Sequence, residues 1–506
     1  MIKWVLLVLF VSILIGSGWW ARSKNRTPGD FFLGGRKVGP WMTAFAYGTT
    51  YFSAVLFVGY AGKVGWGFGL SALWVALGNA LLGSWLAWKV LARPTRQMTE
   101  RLGVMTMPEF FRARYQSPLM KVLASSLIFV FLVPYSASVY MGLSYLFEQI
   151  FGLPYALVAW LMAAVTAVFL ILGGYLAVAV TDFIQGIVML GGVGVMTWYI
   201  LHAPQVGGLA TGISRLAEKG SQLVSFFPQG PGLEQLLALV LLTSFGTWGM
   251  PQMVQKFCAI RDEKVVYTAT RITTLFALLI SGAAYGIGAF SRLFFDQIPL
   301  DPVTGKPSAD LIMPLILKQA LPEWAAAVIL LLVLSASMST LSSLVLVASS
   351  ALTMDVIHSW LAPGLTPRRV LQLLRLFSLV FVGFSLYIAL QKPAIILTLM
   401  ALSWGTVAGA FLGPYLWGLY SRRVNQTGAL AGMVAGAAFS IIWAWYFQMD
   451  AKYIPLGGCL AMLTSILTVP VFSLVGQQLP ADHLALVFGE EGGISQGEEG
   501  AMVDVG

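Results

Sequence analysis

Apolar stretches of about twenty residues recur along nearly the whole chain, and nothing else constrains its fold as strongly. They stand at roughly 2–20, 39–63, 68–92, 121–147, 155–175, 182–203, 233–256, 271–293, 324–354, 371–391, 394–421, 427–447 and 454–478. Each is long enough to cross the hydrocarbon of a bilayer as a helix. Helix is the required form, because an open sheet edge has no hydrogen-bond partner in lipid. The expectation is an all-α polytopic membrane protein with about 13 transmembrane helices. Charged residues make up only 10% of the chain, against about 25% in soluble domains. That is too few to cover a water-facing surface.

The first stretch follows Lys3 and resembles the start of a signal peptide. Bulky Trp19 and Trp20 stand where small residues flank a cleavage site, and Arg22, Lys24 and Arg26 follow as a stop. It reads as an uncleaved span. Of the 30 Lys and Arg, 21 fall on the loops and flanks after the odd-numbered spans. Positive charge marks the cytoplasmic side. The N-terminus is therefore expected outside and the C-terminus in the cytoplasm, with the chain in the inner (plasma) membrane. The net charge of +9 follows from this asymmetry and requires no nucleic acid. Cys258 and Cys459 are too few for a disulfide framework. The acidic, Gly-rich end from Leu479, bounded as a tail at 481–506, reads as disordered. The outside segments 204–232 and 294–323 are expected to hold short helices.

Two spans carry helix breakers at their centres. The second contains Tyr47-Gly48-Thr49-Thr50-Tyr51-Phe52-Ser53, and the seventh contains Phe245-Gly246-Thr247-Trp248-Gly249-Met250-Pro251. Gly and Pro weaken the helical ladder. Backbone groups freed there must line a cavity or be buried in protein. The two spans lie five helices apart and cross in opposite directions, which is the pattern of a transporter built from inverted repeats. Packing glycines, common in membrane helices, are the plainer reading.

The ninth span is rich in hydroxyls, from Ser335 through Ser343 and on to Thr353. Ordinary interhelical hydrogen bonding accounts for such a run. A cation site accounts for it too, since hard cations take oxygen ligands. Of the 21 Asp and Glu, only Asp182 falls near the body of an expected span, and the three histidines lie at span ends or in the tail. A proton-driven carrier needs a buried titratable relay, so sodium is favoured. No metal cluster and no His–acid pair within one leaflet suggests an enzyme.

Several segments resemble the sodium:solute symporter family, which includes proline, pantothenate, sialic acid and sodium/glucose carriers, over about 28–480. They are Asp30-Phe31-Phe32-Leu33-Gly34-Gly35-Arg36, Met105-Thr106-Met107-Pro108-Glu109-Phe110, Gly173 through Gln185, and Met338-Ser339-Thr340-Leu341-Ser342. The resemblance implies a LeuT-type 5+5 inverted repeat, with repeats near 39–203 and 233–421 inside a transmembrane domain 1–480. It also implies co-transported sodium, bound by the carbonyls of Thr49, Phe52 and Ala336 and the hydroxyls of Ser339 and Thr340. Ala336, Ser339 and Thr340 share one helix face. Asp182 is implied on the ion path, although a helix N-terminal acid favoured by the macrodipole is an equal reading. Matching positions suggest solute contacts at Ser53, Tyr135, Trp248 and Pro251, to which Tyr51 and Thr247 add as neighbours. Proline-type carriers have an acid where Tyr51 stands, so proline specificity does not carry over directly. The implied function is sodium-coupled import of a small organic solute, an amino acid or small carboxylate. No obligate protein partner is evident. A proton-coupled carrier and a non-transporting sensor on the same fold remain the alternatives.

Overall fold

The computed structural model describes residues 2–22, 33, 38–228, 231–301, 305–362 and 364–489. Asp30–Arg36, apart from Leu33, and the tail beyond 489 lie outside the described residues. The described chain is almost wholly helical. The helices used below are α1 (Ile2–Arg22), α2 (Pro40–Tyr51), α3 (Ala61–Phe68), α4 (Leu73–Ala80), α5 (Arg93–Arg101), α6 (Met107–Tyr115), α7 (Pro118–Phe151), α8 (Tyr155–Leu201) and α9 (Leu209–Lys219). They continue as α10 (Pro231–Gly249), α11 (Pro251–Cys258), α12 (Glu263–Ala289), α13 (Ile312–Ala320), α14 (Glu323–Ser350), α15 (Pro367–Gln391), α16 (Ile396–Tyr420), α17 (Gln426–Tyr446), α18 (Ile454–Ser473) and α19 (Ala481–Phe488).

Among the described residues, nine helices are long and apolar enough to cross a membrane, or ten if a pair bent at Met250 is counted as one span. The expected thirteen does not appear as thirteen separate rods, for a physical reason. The second half of span 2 and all of span 3 form one helical run, Val55–Arg101. Spans 5 and 6 join as α8, whose 47 residues measure about 70 Å at 1.5 Å per residue, twice a hydrocarbon thickness. Val55–Arg101 turns at Gly69, where φ is 56°. A Cβ there would lie 2.1 Å from the Leu223 carbonyl oxygen. Only glycine meets both demands.

The short outer helices appear as expected, as α9 in 204–232 and α13 in 294–323. The tail departs from expectation, because 481–488 is a helix rather than disordered. Its His483 Nε2 stands 3.1 Å from the Arg114 carbonyl, and Arg114 and Arg422 stack on the Phe488 ring. The segment Ala-Asp-His-Leu-Ala-Leu-Val-Phe is apolar enough to dock. Taken together with the acidic end, its signal was averaged away.

Burial ranks the helices. In their most apolar windows α16 is 94% and α14 89% buried, against 39% for α15 and 44% for α17 and for α18. A helix apolar or hydroxylic on every face belongs in the centre of a bundle. α14 packs on α2, α7 and α8, while α17 and α18 pack on each other and on α16. α3 crosses α12 closely: a Cβ on Gly288 would sit 2.0 Å from the Ala61 carbonyl oxygen, and one on Gly65 would sit 2.0 Å from the Gly288 carbonyl carbon.

Candidate functional site

Both expected breaks are present. α2 ends at Tyr51 and Phe52 is extended, with φ −112° and ψ 122°. Helix resumes at Ala54. The second break is at Met250, extended with φ −81° and ψ 122°, and the flanking helices bend by 49°. Backbone groups freed in a buried place need partners, and at the first break α14 supplies them. Ser337 Oγ accepts from the Ala54 N–H at 3.2 Å. Thr340 Oγ1 stands 3.4 Å from the Thr49 carbonyl oxygen, 3.3 Å from that of Thr50 and 3.1 Å from that of Ala336. Ser339 Oγ donates to Thr49 Oγ1 at 2.8 Å. The hydroxyl run therefore answers the break, and interhelical hydrogen bonding and an oxygen cluster are here one arrangement.

That cluster has the chemistry of a cation cradle. Neighbouring oxygens in a six-coordinate shell of about 2.4 Å bonds stand about 3.4 Å apart, the spacing of hard-ion oxygen sites. Thr49, Ala336, Ser339 and Thr340 are brought together as expected, and the Thr50 carbonyl joins them. Phe52 follows directly, at the extended residue itself.

Beside the cradle is a narrow cleft with a cavity volume of about 20 Å³, lined among others by Tyr51, Ser53, Tyr60, Asn79, Tyr135 and Trp404. Tyr51, Ser53 and Tyr135 were expected there. Tyr51 Oη donates to the Thr243 carbonyl at 2.7 Å and stands 3.2 Å from Asn79 Oδ1. Tyr135 packs edge-on against Trp404, with centroids 5.8 Å apart. Thr247, Trp248 and Pro251 do not line this cleft. Thr247 Oγ1 donates to the Ser244 carbonyl at 2.8 Å, and Trp248 Nε1 to the Leu82 carbonyl at 3.1 Å. Pro251 lines a separate cavity with Thr106, Pro108 and Ser350. Asn79, Tyr60, Tyr285 and Trp404 were missed. Asn79 carried a signal, as an amide in the middle of an apolar span.

Asp182 is fully buried and pairs with Lys256 Nζ at 3.5 Å; Lys256 is fully buried as well. The seventh apolar stretch ends on Lys256, so in the charge count along the sequence it falls among the loop flanks. Asp182 is also not the sole buried acid within a span. Asp355, one residue past the expected end of the ninth stretch, is fully buried in the run Glu323–Ser359. It pairs with Lys121 at 3.2 Å and accepts from Thr106 Oγ1 at 2.9 Å. Scarcity of buried acids therefore argues less for sodium than the sequence suggested.

Two broken helices meeting at the centre of a helical bundle, one of them braced by a hydroxylic helix beside a buried cleft, define a secondary transporter. Residues 31–436 match the model of the sodium:solute symporter family. The chain belongs to the sodium:solute symporter family. It is 29% identical over 474 residues to the sodium/proline symporter of Salmonella typhimurium, covering 93% of this chain and 92% of that one. It is 31% identical over 445 residues to the osmoregulated proline transporter OpuE of Bacillus subtilis, covering 86% and 87%. In fold it is similar to a substrate-bound, outward-open Na+-coupled sialic acid symporter, with a TM-score of 0.77 at 18% identity over 95% of this chain and 99% of that one. The fold is thus the LeuT type expected, in a multi-pass membrane transporter rather than an enzyme, with Na+ as the co-transported ion.

Proposed function

We propose that the chain imports a small amino acid of the proline type together with sodium, by alternating access in the plasma membrane. The N-terminus lies outside and the C-terminus in the cytoplasm, after thirteen passes. The observation that carries the reading is the Thr340 hydroxyl, set within 3.4 Å of two carbonyl oxygens at the first break, those of Thr49 and Thr50, and of the Ala336 carbonyl oxygen on its own helix. Sodium entering there, with the Phe52 carbonyl and the Ser339 hydroxyl as further ligands, ties α2 to α14. That holds Tyr51 and Ser53 in register with Tyr135 around the solute. No charged side chain is among the described residues lining the cleft. A zwitterion suits such a site, its carboxylate meeting N–H and O–H donors and its ammonium meeting aromatic faces. Relatives of nearly full length named as proline carriers support the amino-acid class. Asp182 lies on the inward ion path. Thr247, Trp248 and Pro251 contribute through the hinge rather than by touching solute.

The test is uptake of radiolabelled proline and other small amino acids into proteoliposomes, with and without an inward sodium gradient at constant pH. Sodium-driven accumulation is expected. Accumulation driven by protons alone would refute the coupling, and solute binding without accumulation would identify a sensor.

A further inference from the structure

We infer that Lys256 is a tethered cation, its ammonium held between Asp182 and Ser343 where a second sodium would otherwise bind, so that one sodium accompanies each solute. The inference rests on the sodium-coupled reading above. Lys256 Nζ is 3.5 Å from Asp182 Oδ2 and donates to Ser343 Oγ at 3.1 Å. Ser343 Oγ shares a hydrogen bond of 3.1 Å with Thr50 Oγ1, and the Thr50 carbonyl belongs to the cradle. The ammonium thus stands two hydrogen bonds from the cradle. It joins α8, α11, α14 and α2, and through α11 and α2 it joins the two breaks.

The surrounding oxygens form a cation site in kind. Among the described residues, Asp182 Oδ1 has no hydrogen-bond donor. Ser339 lies beside the carboxylate but donates its one proton to Thr49 Oγ1. Asp182, Ser339 and Ser343 therefore offer carboxylate and hydroxyl oxygens of the type that hard cations take. A buried carboxylate left alone is heavily penalised. It needs one positive charge, and lysine supplies a compact point charge on a flexible stem. That charge satisfies the carboxylate as sodium would, yet it is covalently held and cannot cross with the solute. It also stands near any sodium in the cradle, so the two positive charges oppose one another unless Asp182 offsets the nearer one.

The inference is tested by equilibrium binding of ²²Na+ alone to the purified full-length protein. Wild type is expected to bind one sodium. Lys256→Met keeps the length of the stem and removes the charge, and it is expected to bind two, a doubling of the sodium bound per protein at saturation. Lys256→Arg and the neutral double variant Asp182→Asn/Lys256→Met are expected to bind one. A monodisperse Lys256→Met protein that binds a single sodium overturns the inference, because a merely structural lysine would leave the number of sites unchanged. If Lys256→Met does not fold, Asp182→Asn reads the same arrangement from the other side. Its ammonium is unbalanced beside the cradle, and the sodium half-saturation concentration should rise at least tenfold. An unchanged value overturns the inference. Wild type that binds no sodium would instead refute the sodium-coupled reading itself.

Discussion

At the scale of single residues, the cradle depends on two hydroxyls that a substitution can remove. Replacing Ser339 and Thr340 together by Ala leaves the carbonyls in place and takes away two of the proposed oxygen ligands. The sodium concentration for half-maximal uptake should rise by at least tenfold, about 1.4 kcal/mol, while the affinity for solute at saturating sodium changes far less. Unaltered sodium dependence would remove these residues from the site. Asn79 is a second test: Asn79→Leu takes away the amide beside Tyr51 and Thr243 and should raise the KM for solute without altering the number of sodium ions bound. Asp310 carries a pH signature of its own. It lies in the short turn before α13, accepts from the Ile396 N–H at 3.1 Å, and burial lifts its pKa from 3.8 to about 7, with Lys63 and Lys392 opposing the lift. An acid whose folded pKa is raised adds stability that is complete below about pH 4 and is lost as pH climbs through about 7. Thermal unfolding between pH 4 and 8 should show this loss in wild type, and Asp310→Asn should flatten it.

At the scale of elements, the breaks and the helix that braces the first were legible in the sequence. Gly, Pro and aromatic residues interrupt two otherwise apolar stretches, and hydroxyls fill the ninth. The ends of elements were less legible. Lys256 and Asp355 sit at the edges of apolar stretches, where a hydropathy window cannot separate a loop charge from a buried pair. Their partners, Asp182 and Lys121, lie 74 and 234 residues away, so only packing unites them. Membership of the cleft was half legible for the same reason. Tyr51 and Ser53 follow from the break itself, whereas Trp404 and Tyr285 arrive on helices that the sequence does not point to. Two substitutions probe the elements directly. Ser337→Ala leaves the Ala54 N–H without its acceptor and should cost about 1–3 kcal/mol, read as a lower midpoint of thermal unfolding. Gly288→Val drives a side chain into the Ala61 carbonyl and should force α3 from α12, with a cost of about 1–3 kcal/mol or more. Wild-type stability in that variant would mean that the crossing is looser than described.

At the scale of the whole molecule, the Lys256–Asp182 pair is neutral, so on the one-sodium proposal a carrier loaded with that ion and a zwitterion would move a single positive charge. An inside-negative potential of about 100 mV gives about 2.3 kcal/mol per charge, enough for roughly a fifty-fold solute gradient. Potassium diffusion potentials imposed on proteoliposomes should raise steady-state accumulation by about that factor, and voltage-independent accumulation would contradict it. The first break has a further consequence for how such a carrier can change over generations. Part of the proposed ion cradle is main-chain oxygen, from Thr49, Thr50 and Ala336, and no codon change deletes a carbonyl. A saturation mutagenesis map would concentrate its signal on Ser339 and Thr340 and on whatever keeps Phe52 extended. On the proposed assignment, the carbonyl ligands would look tolerant even though they would hold the ion. Selection can adjust ion affinity here through two hydroxyls and the shape of one interruption, and the rest of the coordination shell is inherited with the backbone.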